Sequence, residues 1–116
     1  MEVSKVYLGV KVVNKNKEID IAKNLRTIEW LKTELIDAVA VLFKSLLKKG
    51  SDATTDALSS IIIITYILGR RLGVSFQSID SEIKTKLHNQ IKREHELEEW
   101  YGDLSDLLKY MEGKKR

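Results

Sequence analysis

Four oxygen-bearing side chains fall at spacings that could serve a metal ion. Glu34 and Asp37 are three residues apart, and Asp56 and Ser59 repeat that interval. On a helix, residues three apart project as neighbours. Two such pairs on facing helices would bring four oxygen donors to one point, which is how a helical bundle holds Mg²⁺, a hard cation that takes carboxylates and keeps several waters. Glu34 lies between Leu31, Leu35 and Ala38, at the edge of an apolar stripe, and Asp56 and Ser59 lead into Ser60, Ile63, Ile67 and Arg70. Polar groups at a core margin are better site candidates than groups fully in water. The ordinary alternative is a pair of solvated acidic faces, with Asp56 complementing a helix dipole from the first turn. Spacing alone leaves both readings open.

A second constellation is basic. Lys86, Gln90 and Arg93 follow at i, i+4 and i+7 and share one side of a helix. A Lys and an Arg so placed can neutralise phosphate oxygens, Arg in bidentate fashion. The competing account is a solvated face alternating with Glu82 and Glu94. Other chemistries are excluded: there is no glycine-rich phosphate loop and no Ser/His/Asp arrangement. The chain has no cysteine, so thiolate catalysis and disulfides are absent. Trp30, Trp100 and Tyr101 read as core or subunit-interface aromatics more than as base-stacking platforms.

The elements that must carry these groups are helical. A first helix is expected from Asp20, as N-cap, to Lys49, with an apolar stripe of Ile21, Leu25, Ile28, Leu31, Leu35, Val39, Leu42 and Leu46. Ile36, Phe43 and Leu47 widen the stripe on one flank, and Trp30 and Val41 on the other. Gly50 supplies the stop and Ser51 the next N-cap. A second helix, about Asp52 to Leu72, contains four consecutive isoleucines, Ile61 to Ile64, which face all directions and so predict a buried central element. Ser78 would cap a third helix bearing Ile79, Ile83, Leu87 and Ile91. The phase slips at Glu94-His95-Glu96, and a fourth helix is expected to run from Leu97 through Trp100, Tyr101, Leu104 and Leu108 to Met111. Residues 1–18 differ. The alternation of Val6, Leu8, Val10 and Val12 has a strand period, so an extended or unstructured arm is expected there, followed by one helical domain over 19–113 and a basic tail at 114–116.

Composition supports this reading. The chain of 116 residues has no proline, 43% hydrophobic and 32% charged residues, which favours long uninterrupted helices in an all-α antiparallel four-helix bundle. The apolar surplus of the first two helices implies completion by another subunit, as a homodimer or homotetramer. A net charge of +3 does not by itself indicate a nucleic-acid binder. The most apolar run, Ala57 to Leu68, falls short of the ~20 residues that span a bilayer. The first ten residues also lack a signal-peptide core, so a soluble cytoplasmic protein with no membrane partner is expected.

With these motifs in order, Thr33-Glu34-Leu35-Ile36-Asp37 resembles the Glu-Glu-x-x-Glu motif of the MazG superfamily of all-α nucleoside triphosphate pyrophosphohydrolases. Asp56-Ala57-Leu58-Ser59 resembles that superfamily's second motif, Glu-x-x-Asp. Asp20 to Asn24, Ile28 to Lys32, Ile61 to Leu72 and Trp100 to Leu104 are similar to a MazG-like branch, so the resemblance covers about residues 20–110. It implies Mg²⁺ held by Glu34, Asp37, Asp56 and Ser59, with Glu34 and Asp37 catalytic. It also implies phosphate binding by Lys86, Gln90 and Arg93, and cleavage of a nucleoside triphosphate to monophosphate and pyrophosphate. The chain departs from the pattern: Thr33 replaces the leading Glu, Ser59 stands where an Asp is expected, and Asp37 and Asp56 are shorter acids. Three carboxylates remain, and a hydroxyl is a poorer Mg²⁺ ligand. Two expectations follow: a nucleotide-binding protein with weak Mg²⁺-dependent activity, or a non-catalytic regulatory or interaction module that kept the helices and lost the metal site.

Overall fold

The computed structural model describes residues 9–48, 50, 52–93 and 96–113, with side chains from Lys17 onward. These residues form five α-helices and no strand: α1 (Gly9–Ser45), α2 (Asp52–Arg71), α3 (Phe76–Lys92), α4 (Glu96–Tyr101) and α5 (Asp103–Gly113). The all-α class expected from the proline-free, Leu/Ile/Lys/Glu-rich chain is therefore observed. The chain divides between Gly73 and Val74 into two compact units.

The first unit is an antiparallel hairpin of α1 and α2. Its two ends are tied by side chains. Near the turn, Ser45 Oγ lies 3.0 Å from Thr54 Oγ1, and at the open end Asn24 Nδ2 donates to the Arg71 carbonyl at 3.1 Å. The seam between the helices buries Ile28, Leu31 and Ala38 from α1 and Ala57 from α2. Alanines at the seam let two helices approach closely, at the cost of little buried apolar area.

Three expectations change here. The helix begins at Gly9, so residues 9–18 are not an extended arm and Asp20 is not an N-cap; residues 1–8 lie outside the described residues. Asn14 to Glu18 contain no Gly or Pro to interrupt a helix, and elongation adds one backbone hydrogen bond per residue fixed, which outweighs a short period-2 pattern. α1 ends at Ser45, and turn bonds from Leu46, Leu47 and Lys48 back to Phe43, Lys44 and Ser45 follow it; Lys49 and Ser51, expected as helix end and cap, lie outside the described residues. Finally, the isoleucine run is not buried. Ile62 is 56% exposed and Ile63 61%, because a single partner helix covers only one side of α2.

The second unit comprises α3, α4 and α5, with α5 packed on both of the others. Leu87 of α3 and Met111 of α5 are its buried apolar side chains among the described residues. The cap of α3 is Ser75, not Ser78: Ser75 is extended (φ −74°, ψ 157°) and its Oγ accepts from the Ser78 amide at 3.0 Å. α3 ends at Lys92, and α4 resumes at Glu96, so the expected break between Ile91 and Leu97 is observed, although Glu94 and His95 lie outside the described residues. The single fourth helix is instead two, α4 and α5, split at Gly102. Its φ of +70° is left-handed and open to glycine at little steric cost. The basic tail at 114–116 lies outside the described residues.

Candidate functional site: an acidic cleft in the helical hairpin

The site is built on the α1–α2 seam. Ala38 and Ala57 are both buried, and their short side chains leave a cleft of about 180 Å³ along one flank of the hairpin. Its walls are Glu34, Asp37 and Val41 from α1 and Asp56, Ser60 and Ile64 from α2. The helix geometry explains this grouping. Glu34, Asp37, Ala38 and Val41 recur at steps of three and four, as do Asp56, Ala57, Ser60 and Ile64, so each set forms one stripe beside the seam. Antiparallel pairing then sets the Val41 end of one stripe toward the Asp56 end of the other, and the Glu34 end toward Ile64.

Glu34, Asp37 and Asp56 thus share one cleft. Glu34 is half-buried, while Asp37 and Asp56 are exposed. Ser59 does not line it. The Ser59 hydroxyl is turned on its own helix, 2.9 Å from the carbonyl oxygens of both Thr55 and Asp56. Thr33 behaves alike, donating from Oγ1 to the Glu29 carbonyl at 3.2 Å. The hydroxyl that does reach the cleft is Ser60, four residues after Asp56; an i, i+4 step from the acid is the signal that points to it.

The donor set is three carboxylates and one hydroxyl, all hard oxygens, which suits Mg²⁺ in chemistry. In geometry the cleft is open: among the described residues, no three Asp, Glu or His side chains gather closely enough to form a metal-binding group. A cation taken up in this arrangement would be held by fewer than three carboxylates, with water filling the remaining positions.

Lys86 and Gln90 of α3 and Arg93, its C-cap residue, belong to the second unit, and all three are solvent-exposed. They retain the shared side expected from i, i+4, i+7 spacing. The Arg93 amide donates to the Asn89 carbonyl at 3.1 Å, so the helical turn persists to that point. Trp30, Trp100 and Tyr101 are exposed in the chain, and Trp100 and Tyr101 meet edge to face with centroids 6.3 Å apart.

Fold and site together define an all-helical protein with a carboxylate-lined cleft between two antiparallel helices. The chain belongs to the MazG-like family, whose family model matches residues 21–104, a span that contains both walls of the cleft and all of α3 and α4. No match was found among curated proteins or solved structures. Among the described residues, no single helix is long and apolar enough to cross a membrane.

Proposed function

We propose that this MazG-like protein binds nucleoside triphosphates with Mg²⁺ and has weak pyrophosphohydrolase activity, yielding monophosphate and pyrophosphate. The observation that carries the reading is the presence of Glu34, Asp37 and Asp56 around one cleft in a chain of this family. In this reading carboxylates of the cleft would hold the cation, no more than two of them directly and the remainder through water, and Ser60 would contribute a hydrogen bond to a water in the cleft. Bound Mg²⁺ would supply charge neutralisation of the phosphates and activation of water. Glu34, the half-buried acid among the three, is the group suited to take a proton from that water. Lys86, Gln90 and Arg93 are the proposed phosphate-binding side chains, through charge and, at Arg93, a bidentate fork.

Titration calorimetry with a panel of nucleoside triphosphates, with and without Mg²⁺, tests the proposal. Mg²⁺-dependent binding that Glu34→Ala abolishes is expected, together with slow pyrophosphate release. Binding that ignores both Mg²⁺ and Glu34→Ala would overturn it.

A second reading has its own support. The hydroxyls at both departures from the family pattern, Thr33 and Ser59, are engaged with their own backbone, and the carboxylates do not converge as a triad. In a non-catalytic module the cleft would persist as an acidic surface, and no triphosphate would yield pyrophosphate at any Mg²⁺ concentration.

A further inference from the structure

The flank that holds the acidic cleft does not end at Glu34. Steps of four carry its α1 wall back from Ala38 through Glu34 to Trp30, and steps of three and four carry its α2 wall from Ser60 to Ile63 and Ile67. Trp30 therefore stands about one helical turn, ~5.4 Å, beyond Glu34 on the same side of α1. The Ser45–Thr54 and Asn24–Arg71 contacts fix the antiparallel register, which sets Trp30 level with Ile67 across the seam. All of these side chains belong to the first unit.

Along this continuation the flank changes from acidic to apolar. Trp30 is 58% exposed, and Ile63 and Ile67 are exposed as well. At that exposure Trp30 is no part of the core, and an indole beside two isoleucines at the end of a cleft is apolar surface that a ligand can cover. Thr27, three residues before Trp30, commits its hydroxyl proton to the Lys23 carbonyl at 2.8 Å. Its side chain offers no free donor to the edge of a bound ring. What Trp30, Ile63 and Ile67 present is an apolar shelf.

We propose that Trp30, flanked by Ile63 and Ile67, is the stacking shelf for the base of the nucleoside triphosphate, an inference that rests on the proposed binding of triphosphate and cation at the acidic end of the same flank. The occupant follows from continuity and from charge. A ligand whose one end suits carboxylates with a divalent cation, and whose other end is a flat uncharged ring about a ribose away, is a nucleotide. An indole suits that ring because every base has a π-face, and the stacking gain grows with ring area. The shelf takes any base and favours purines over pyrimidines, since it meets the ring's face and not its hydrogen-bonding edge.

Intrinsic fluorescence of the full chain tests the shelf. Trp30 and Trp100 are the two tryptophans, so Trp100→Phe leaves Trp30 as the sole reporter. Two probes are compared with Mg²⁺ in excess. One is a purine nucleoside triphosphate with a methylene bridge between its α- and β-phosphates, which resists cleavage there; the other is inorganic tripolyphosphate, which has no base. The nucleotide should quench Trp30 and tripolyphosphate should not. By calorimetry, Trp30→Ala should weaken nucleotide binding at least tenfold and leave tripolyphosphate binding within twofold, while Trp30→Phe keeps most of the affinity. Nucleotide affinity unchanged in Trp30→Ala, with Glu34→Ala still abolishing binding, would overturn the shelf and leave the proposed function standing. A lower oligomer mass for Trp30→Ala in sedimentation, again with unchanged nucleotide affinity, would make Trp30 a subunit-interface residue instead. Absence of Mg²⁺-dependent binding of either probe would overturn both.

Discussion

Ser45 Oγ stands 3.0 Å from Thr54 Oγ1, joining the last residue of α1 to the first turn of α2 across the hairpin bend. Ser45 is buried and also donates to the Leu42 carbonyl at 2.6 Å. Its one proton is thus committed, which makes Thr54 the donor between the two hydroxyls. The bond fixes the register that sets the two acidic stripes side by side, so a small polar contact near the turn supports the cleft.

Removing it should be measurable. Ser45→Ala leaves Thr54 without its acceptor in a half-buried position and should cost about 1 kcal/mol. Thr54→Val added to Ser45→Ala should cost less than the two single changes together, since neither hydroxyl is then left unmatched. Urea denaturation of the four proteins closes the double-mutant cycle, and strict additivity would count against the bond.

The hinge between α4 and α5 contains an acid-sensitive contact. Glu98 accepts from the Ser105 hydroxyl and from the Ser105 amide at 3.0 Å, satisfying a free N–H at the start of α5. The hydroxyl bond, then the amide bond, favours the ionised carboxylate, and the Glu98 pKa lies below the ordinary glutamate value. A depressed folded-state pKa gives stability that is complete above the unfolded value and lost as pH falls through the folded one. Carboxyl NMR titration should therefore find Glu98 ionised to lower pH than an exposed glutamate. Ser105→Ala should move its midpoint back up.

Much of this architecture was legible in the residues. Glu34 and Asp37, acids three apart at the edge of an apolar stripe, take one flank of α1 because helix periodicity decides which side a group takes, whereas of the pair Asp56 and Ser59 the acid lines the cleft and the hydroxyl does not. Ser59 was less legible, since a hydroxyl can bond its own helix's carbonyls, and only the rotamer decides between cleft and backbone. The split at Gly102 was hidden by Leu97, Trp100, Leu104 and Leu108, whose three-and-four spacing runs straight through the glycine. The exposure of Ile62 and Ile63 was illegible for another reason: composition tells how much apolar surface seeks cover, not whether the same chain supplies it.

Gly102 can be tested directly. A Cβ there would meet no atom within 4 Å, so substitution costs only the left-handed backbone. Gly102→Ala should destabilise the second unit by about 1 kcal/mol. Gly102→Asn should cost less, because Asn tolerates that region, and the β-branched Gly102→Val more. The order of urea midpoints, Asn above Ala above Val, is the check; equal values would imply that the break can rearrange freely.

The basic stripe makes a charge-specific prediction. If Lys86 and Arg93 hold phosphates, replacing both with Gln should weaken triphosphate binding tenfold or more and monophosphate binding far less. Arg93→Lys should recover only part of the loss, since an ammonium cannot make the two parallel bonds of a guanidinium. Calorimetry at fixed Mg²⁺ separates these cases, and equal effects on mono- and triphosphate would argue for an ordinary solvated face.

The two departures at Thr33 and Ser59 provide the sharpest discrimination between a weak enzyme and a module without chemistry. Both hydroxyls now bond to carbonyls of their own helix, and neither carries charge. Thr33→Glu with Ser59→Asp restores two carboxylates at the positions where the family pattern has acids. Longer or charged side chains no longer gain from folding back on the helix, so they become free to reach a cation. Mg²⁺ affinity measured by calorimetry should rise at least tenfold in the double variant. If pyrophosphate release from triphosphates rises with it, only the ligands had been lost and the rest of the machinery remains. If affinity rises and turnover stays at zero, the cleft binds cations without the phosphate positioning that catalysis needs, and the non-catalytic reading is the correct one.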